Sequence, residues 1–120
     1  MRNFRNWDIY TEGMKFVKEI YSVTGELPIH ENFGLTSQIR RAAVSVVNNI
    51  AEGAAKTSSK DFCRFLEMSL GSAFETETLL KIMKDLSYAD PTKIDELLVK
   101  IEIQEKRINA FIQKIKKEDR

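Results

Sequence analysis

Arg41, Ser45, Asn48 and Glu52, in the stretch QIRRAAVSVVNNIAEG, stand four, three and four residues apart, a spacing that puts them on one face of a helix. Solvated helix faces normally mix Lys and Glu. A stripe of guanidinium, hydroxyl, amide and carboxylate suits either buried pairing between helices or a site for a polar ligand. Glu75 and Glu77 are the acids of most interest elsewhere, because Glu77 projects about 60° from Phe62 on a helical wheel, at the edge of an apolar stripe. An unpaired carboxylate there is costly. Arg41 lies about as far before the turn at residues 56 to 58 as residues 73 to 77 lie after it, so an antiparallel hairpin predicts Arg41 beside Glu75 and Glu77. The reading is interior polar wiring that fixes register between helices or subunits, with a polar ligand site as the alternative.

Other chemistry finds little support. Di-metal bundles need Glu on two helices and Glu-x-x-His on two more, but the sole histidine, His30, falls in a Pro-containing loop with Glu26 and Glu31. One imidazole with two flexible carboxylates is a poor zinc set. No GxSxG elbow accompanies a serine and no Gly-rich phosphate loop exists. Cys63, between Phe62 and Arg64, reads as a small packing residue. The expectation is a protein that is not an enzyme, with no cofactor and no metal.

The elements that must carry these residues are helical. Four patterns of period 3.6 are separated by three breaks, and no segment alternates with the period of a strand. The first runs from about Asn6 to Val23, with Trp7, Tyr10, Met14, Val17 and Tyr21 on one seam and Ile9, Gly13, Phe16 and Ile20 on a second. After TGELPIHENFG, the second starts near Thr36 or Ser37, either able to cap it, and Gly53 is a plausible terminator. Ser58 and Asp61 form an N-terminal capping box for the third, about Ser59 to Leu86. The fourth opens with Asp90 as cap and Pro91 at the first helical position, and its sevenfold apolar repeat from Ile94 to Ile115 is interrupted by Gln104 and Glu105.

Such lengths and turns predict an all-α, antiparallel up-down-up-down four-helix bundle, a single domain over residues 1–120. The first three helices carry more apolar surface than one bundle needs, so self-association is predicted, with a thicker, irregular core as the alternative. At 120 residues a real core is within reach. A single cysteine, no signal-peptide pattern and no apolar run of about 18 residues point to a cytoplasmic protein without a membrane partner. Nineteen basic and eighteen acidic residues leave a formal charge of +1, far from the excess of a dedicated nucleic-acid binder. Any functional charge must arise from folding.

Folding does concentrate it. In the predicted topology the N-terminus, the turn between the second and third helices and the C-terminus meet at one end, bringing together Arg2, Arg5, Lys56, Lys60, Arg64, Lys114, Lys116, Lys117 and Arg120. They face Asp8, Glu52, Asp61, Glu118 and Asp119. That local excess of four positive charges, repeated across self-associated protomers, would hold phosphate backbones without reading sequence. The alternative is simple solvation of helix ends.

The run from Glu31 to Leu80 resembles the family of 23S rRNA intervening-sequence proteins, related to the accessory protein of diversity-generating retroelements. Its pattern QIRRA..S...NIAEG followed by FL...LGS..E.E contains Gln38, Arg40, Arg41, Ser45, Asn49, Ile50, Ala51, Glu52, Gly53, Phe65, Leu66, Gly71, Ser72, Glu75 and Glu77. Gly34 and Leu35 precede it, and Trp7, Tyr21, Pro28 and Glu31 fit the weaker N-terminal part. Arg40 and Asn49 thereby join the polar stripe. Where the family usually has Ile-Pro-Ser before Asn, this chain has Val46, Val47 and Asn48, which should straighten the helix and restore a backbone hydrogen bond. The resemblance implies a homopentameric ring without enzymatic activity. By analogy with the retroelement relative it implies a scaffold for RNA or for a nucleic-acid enzyme such as a reverse transcriptase, the alternative being a protein-interaction scaffold with no nucleic-acid contact.

Overall fold

The computed structural model describes residues 2–118. Four α-helices follow one another: α1 (Asp8–Thr24), α2 (Leu35–Ala54), α3 (Ser59–Asp85) and α4 (Pro91–Glu118), with a single 3-10 turn at Ile29–Glu31 between α1 and α2. There is no strand among the described residues. Packing joins α1 to α2, α2 to α3, α3 to α4 and α4 back to α1, a closed cycle in a rod of 48 × 23 × 20 Å. Cross-helix contacts set the directions. Lys100 reaches Glu19 and Lys93 reaches Glu26 between α4 and α1, Ser72 meets Ser45 between α3 and α2, and Lys84 meets Asp95 between α3 and α4. Two contacts per pair show positions rising on one helix as they fall on the other: Glu19 and Glu26 meet Lys100 and Lys93, Ser45 and Val46 meet Ser72 and Ser69, and Glu67 and Lys84 meet Lys116 and Asp95. These neighbouring helices are antiparallel.

The helix caps follow from the sequence at two of the four starts. Ser58 Oγ accepts from Asp61 N–H at 3.1 Å, and Asp90 Oδ1 accepts from Thr92 N–H at 2.9 Å, each satisfying an amide of the first helical turn. The start of α2 differs from expectation. Gly34 is its N-cap, and Glu31 Oε1, reaching back from the 3-10 turn, accepts from Leu35 N–H at 3.3 Å. The Thr36 hydroxyl is buried without a hydrogen-bond partner, so neither Thr36 nor Ser37 caps the helix. Through Val46, Val47 and Asn48, α2 is uninterrupted, as the absence of proline there allows.

Fully buried Ile20, Ile39, Ile50, Leu66, Leu80 and Ile101 are among the residues that fill the axis of the cycle. Two glycines allow the helices to approach. A Cβ on Gly13 would lie 2.6 Å from Val47 Cγ1 and 3.2 Å from Gln104 Nε2, and one on Gly53 would lie 2.8 Å from Phe65 Cβ. Gly53 is thus a contact between α2 and α3, not a terminator; α2 continues past it to Ala54. Gln104, which interrupts the apolar repeat of α4, is buried and donates from Nε2 to the Ile9 carbonyl at 2.6 Å, tying α4 to the start of α1.

Candidate functional site

The end where α1 begins, α2 meets α3 and α4 finishes carries the basic residues, and their side chains are organised by aromatic rings. The Arg2 guanidinium donates to the Lys56 carbonyl and lies 4.4 Å from the centre of the Phe62 ring. Lys56 and Arg64 each stand 4.8 Å from the centre of Phe65. Phe62 itself is buried against Trp7 and Phe111, so α1, α3 and α4 together hold the platform. Cations resting on ring faces keep their charge while losing part of their freedom.

Acids temper part of this charge. Arg64 lies 3.8 Å from Asp61 and Lys116 lies 3.3 Å from Glu67, both in exposed positions, where ion pairs are weak and screened. Lys60, Arg64 and Lys116 line one cleft with Cys63 between them. Lys114 does not join it: it lines a separate depression with Trp7, Phe111 and Arg107, a basic residue that sequence reading missed because it lies in mid-helix. Arg5 sits over Phe4 and bonds Asn3, and Lys117 is exposed in the last turn of α4. Arg120 and Asp119 lie outside the described residues. The eight described basic residues outnumber the four acids named with them (Asp8, Glu52, Asp61, Glu118) by four.

The polar stripe divides in two. Ser45 and Asn49 are interior wiring: Ser45 Oγ lies 2.8 Å from Ser72 Oγ, and Asn49 Nδ2 donates to the Ser45 carbonyl at 2.9 Å and hydroxyl at 3.0 Å. Ser69 adds a hydrogen bond to the Val46 carbonyl at 2.7 Å. The Ser45 to Ser72 and Ser69 to Val46 bonds fix the register of α2 against α3, and Asn49 holds Ser45 from within α2. Arg40 turns the other way, towards α1, donating from Nε to Thr24 Oγ1 at 2.8 Å and covering the Tyr21 ring at 4.5 Å. Arg41, Asn48 and Glu52 are exposed.

The expected pairing of Arg41 with Glu75 and Glu77 is not formed. Arg41 and Glu75 are exposed, with no ion pair for either among the described residues, and Glu77 is held instead by Lys81, one turn along α3, at 2.8 Å. The height along the bundle is as expected, since the Ser45 and Ser72 contact puts Arg41 level with residues 75–76. The direction around α3 differs. Residues 69 and 72 define the flank that meets α2, whereas Glu77 lies on the flank that meets Glu105 of α4. Glu105, half-buried with its Oε2 closed off from solvent, is pushed up to about 8, first by burial and then by the Glu77 carboxyl. Glu77 is lowered, chiefly by the Lys81 hydrogen bond. The signal for Glu105 was present as the break in the apolar repeat.

An open groove of about 540 Å³ runs along the outer side of α1 and α2, lined by Tyr21, Phe33, Arg40, Arg41, Val44 and Asn48 among others. Phe33 stands wholly exposed at its end, and Ile29 nearby is 84% exposed. His30 is exposed and meets Tyr88 edge-on at 6.3 Å. Among the described residues there is no cluster of three His, Cys, Asp or Glu side chains fit to hold a metal, and no helix is long and apolar enough to cross a membrane.

A solved structure from Bacteroides thetaiotaomicron, described as a protein of unknown function from the S23 ribosomal protein family, shares this fold. It superposes with a TM-score of 0.80 at 23% identity, over 87% of this chain and 97% of that one. No curated protein sequence matches the chain. The family model for the 23S rRNA-intervening sequence protein matches residues 5–110. The chain therefore belongs to the 23S rRNA-intervening sequence protein family.

Proposed function

We propose that the protein is a non-enzymatic, cytoplasmic scaffold that assembles into a homopentameric ring and holds RNA, or a ribonucleoprotein containing a nucleic-acid enzyme such as a reverse transcriptase, against its basic end. The observation that carries the nucleic-acid part is the seating of Arg2, Lys56 and Arg64 on the Phe62 and Phe65 rings. Fixed cations of this kind contact phosphates without reading bases. A ring would place copies of the cluster side by side, supplying charge that one protomer of formal charge +1 lacks. The kinship expected between the family this chain resembles and the retroelement accessory protein favours the same partner class by analogy.

A second reading, a protein-interaction scaffold without nucleic acid, is favoured by one observation: Phe33 and Ile29 project from the loop before α2 at the end away from the basic cluster. RNA binding measured by fluorescence anisotropy separates the two. Affinity for a single-stranded RNA should fall steeply between low and moderate salt and vanish when Lys56, Lys60 and Arg64 are all changed to Glu. Affinity that survives the triple change would reject the basic end as the surface. Absence of binding at low salt would favour the protein scaffold.

A further inference from the structure

Gly71 sits in the middle of α3, exposed, and a Cβ built on it meets nothing within 4 Å. Glycine inside a helix is destabilising relative to alanine. Gly13 and Gly53 earn their places by close contacts within the protomer, but Gly71 has no such reason. Around it the outer face of α3 presents Met68, Phe74 and Ile82, which are 46%, 53% and 40% exposed, with Glu75 among them. Glu67, Arg64 and Thr78 share this exposed face, and a glycine at its centre, flanked by apolar side chains, leaves room for a second backbone to approach closely.

The same chain presents a fitting counterpart. The groove on the outer side of α1 and α2 carries Arg41 and Val44 along its length and the bare ring of Phe33 at its end. Heights along the bundle decide whether the two surfaces meet. The Ser45 to Ser72 contact sets Arg41 level with residues 75–76, and Val44 and Asn48 level with the segment from Ser69 to Ala73, which contains Gly71. Rotation about an axis parallel to the helices preserves height, so copies standing side by side hold each of these pairs at one level. Charges agree as well, since Arg41 and Glu75 are both exposed and neither has an ion pair among the described residues.

We infer that the α3 face centred on Gly71 docks into the α1 and α2 groove of a second copy of this chain, with Arg41 of one protomer paired to Glu75 of the next. The groove opens on the α1 side of α2 and α3 lies on the other, so the contact is head-to-tail. Such contacts close into rings when the rotation permits. This rests on the proposed self-assembly and names the surface that makes it.

Native mass spectrometry of the full chain and four variants, at equal micromolar concentration, tests it. The wild type should be an oligomer. Gly71→Leu, Arg41→Glu and Glu75→Arg should each shift the population to single subunits while far-ultraviolet circular dichroism keeps its helical signature. The double variant Arg41→Glu with Glu75→Arg should recover the oligomer. An oligomeric wild type whose mass is unchanged by Gly71→Leu and by both single charge reversals overturns this surface and leaves self-assembly standing. A monomeric wild type overturns both.

Discussion

Lys81 Nζ lies 2.8 Å from Glu77 Oε2, and on its other side Glu77 faces Glu105 across the junction of α3 and α4. The two carboxyls share one environment and divide the work: Glu77 keeps the negative charge beside Lys81, while Glu105 keeps its proton. Lys81 and Glu102 are the other charges acting on Glu105.

The pair gives stability a pH dependence whose sign can be worked out. Glu105 rises from 4.5 to about 8 on folding, so its contribution is fully present below pH 4.5 and is lost as pH climbs towards 8. Glu77 is lowered, so its contribution is present above 4.5 and is lost in acid. Chemical denaturation from pH 5 to 9 should show stability falling over this range. Glu105→Gln should flatten the fall and stabilise the protein at pH 8.5 by on the order of 1 kcal/mol, allowing for solvent screening at a half-buried site.

Arg40 links α2 to the end of α1 through Thr24, whose buried hydroxyl also donates to the Ile20 carbonyl at 2.6 Å. Arg40→Ala removes that bond together with the stacking on Tyr21. A loss of about 1–2 kcal/mol is expected. Arg40→Lys should restore only part of it, because an ammonium cannot reproduce the planar stacking. Urea denaturation of the three proteins gives the comparison.

The glycines predict opposite outcomes for one substitution. Gly53→Ala drives a methyl group into Phe65 and should cost about 1–3 kcal/mol. Gly71→Ala meets nothing within the protomer, and should stabilise the dissociated subunit by roughly 1 kcal/mol through helix propensity alone. Thermal unfolding at high dilution would show both.

The close of α3 offers another stabilising change. Ser87 adopts φ 57°, with its own N–H bonded to the Lys84 carbonyl and that of Tyr88 bonded to the Met83 carbonyl. This is the paired-bond helix ending in which glycine is favoured at the left-handed position. Ser87→Gly should add about 0.5–1 kcal/mol, detectable as a raised Tm.

Much of this architecture was legible in the residues. The apolar periodicities and the Ser58 and Asp90 caps located α3 and α4, because those signals are local and no tertiary contact competes with them. The starts and stops of α2 were less legible. Glu31 reaches its first turn from a neighbouring 3-10 turn, and Gly53 serves the packing of Phe65 rather than the chain's direction. For the polar stripe, counting residues from a turn fixed the height of Arg41 but not the flank of Glu77, since each residue turns about 100° around a helix and helical register alone does not say which neighbour a flank will meet. The basic end was foreseen as a group of charges. Its division between the Phe62 and Phe65 rings and the Lys114 depression depends on ring positions that only folding sets.

Native mass measured with and without a single-stranded RNA of a few tens of nucleotides, at low ionic strength, tests the account most directly. A pentamer of the 13.9 kDa chain that gains the mass of RNA, and sheds it on raising the salt, is the predicted result. A folded single subunit whose mass is unchanged by RNA would contradict it.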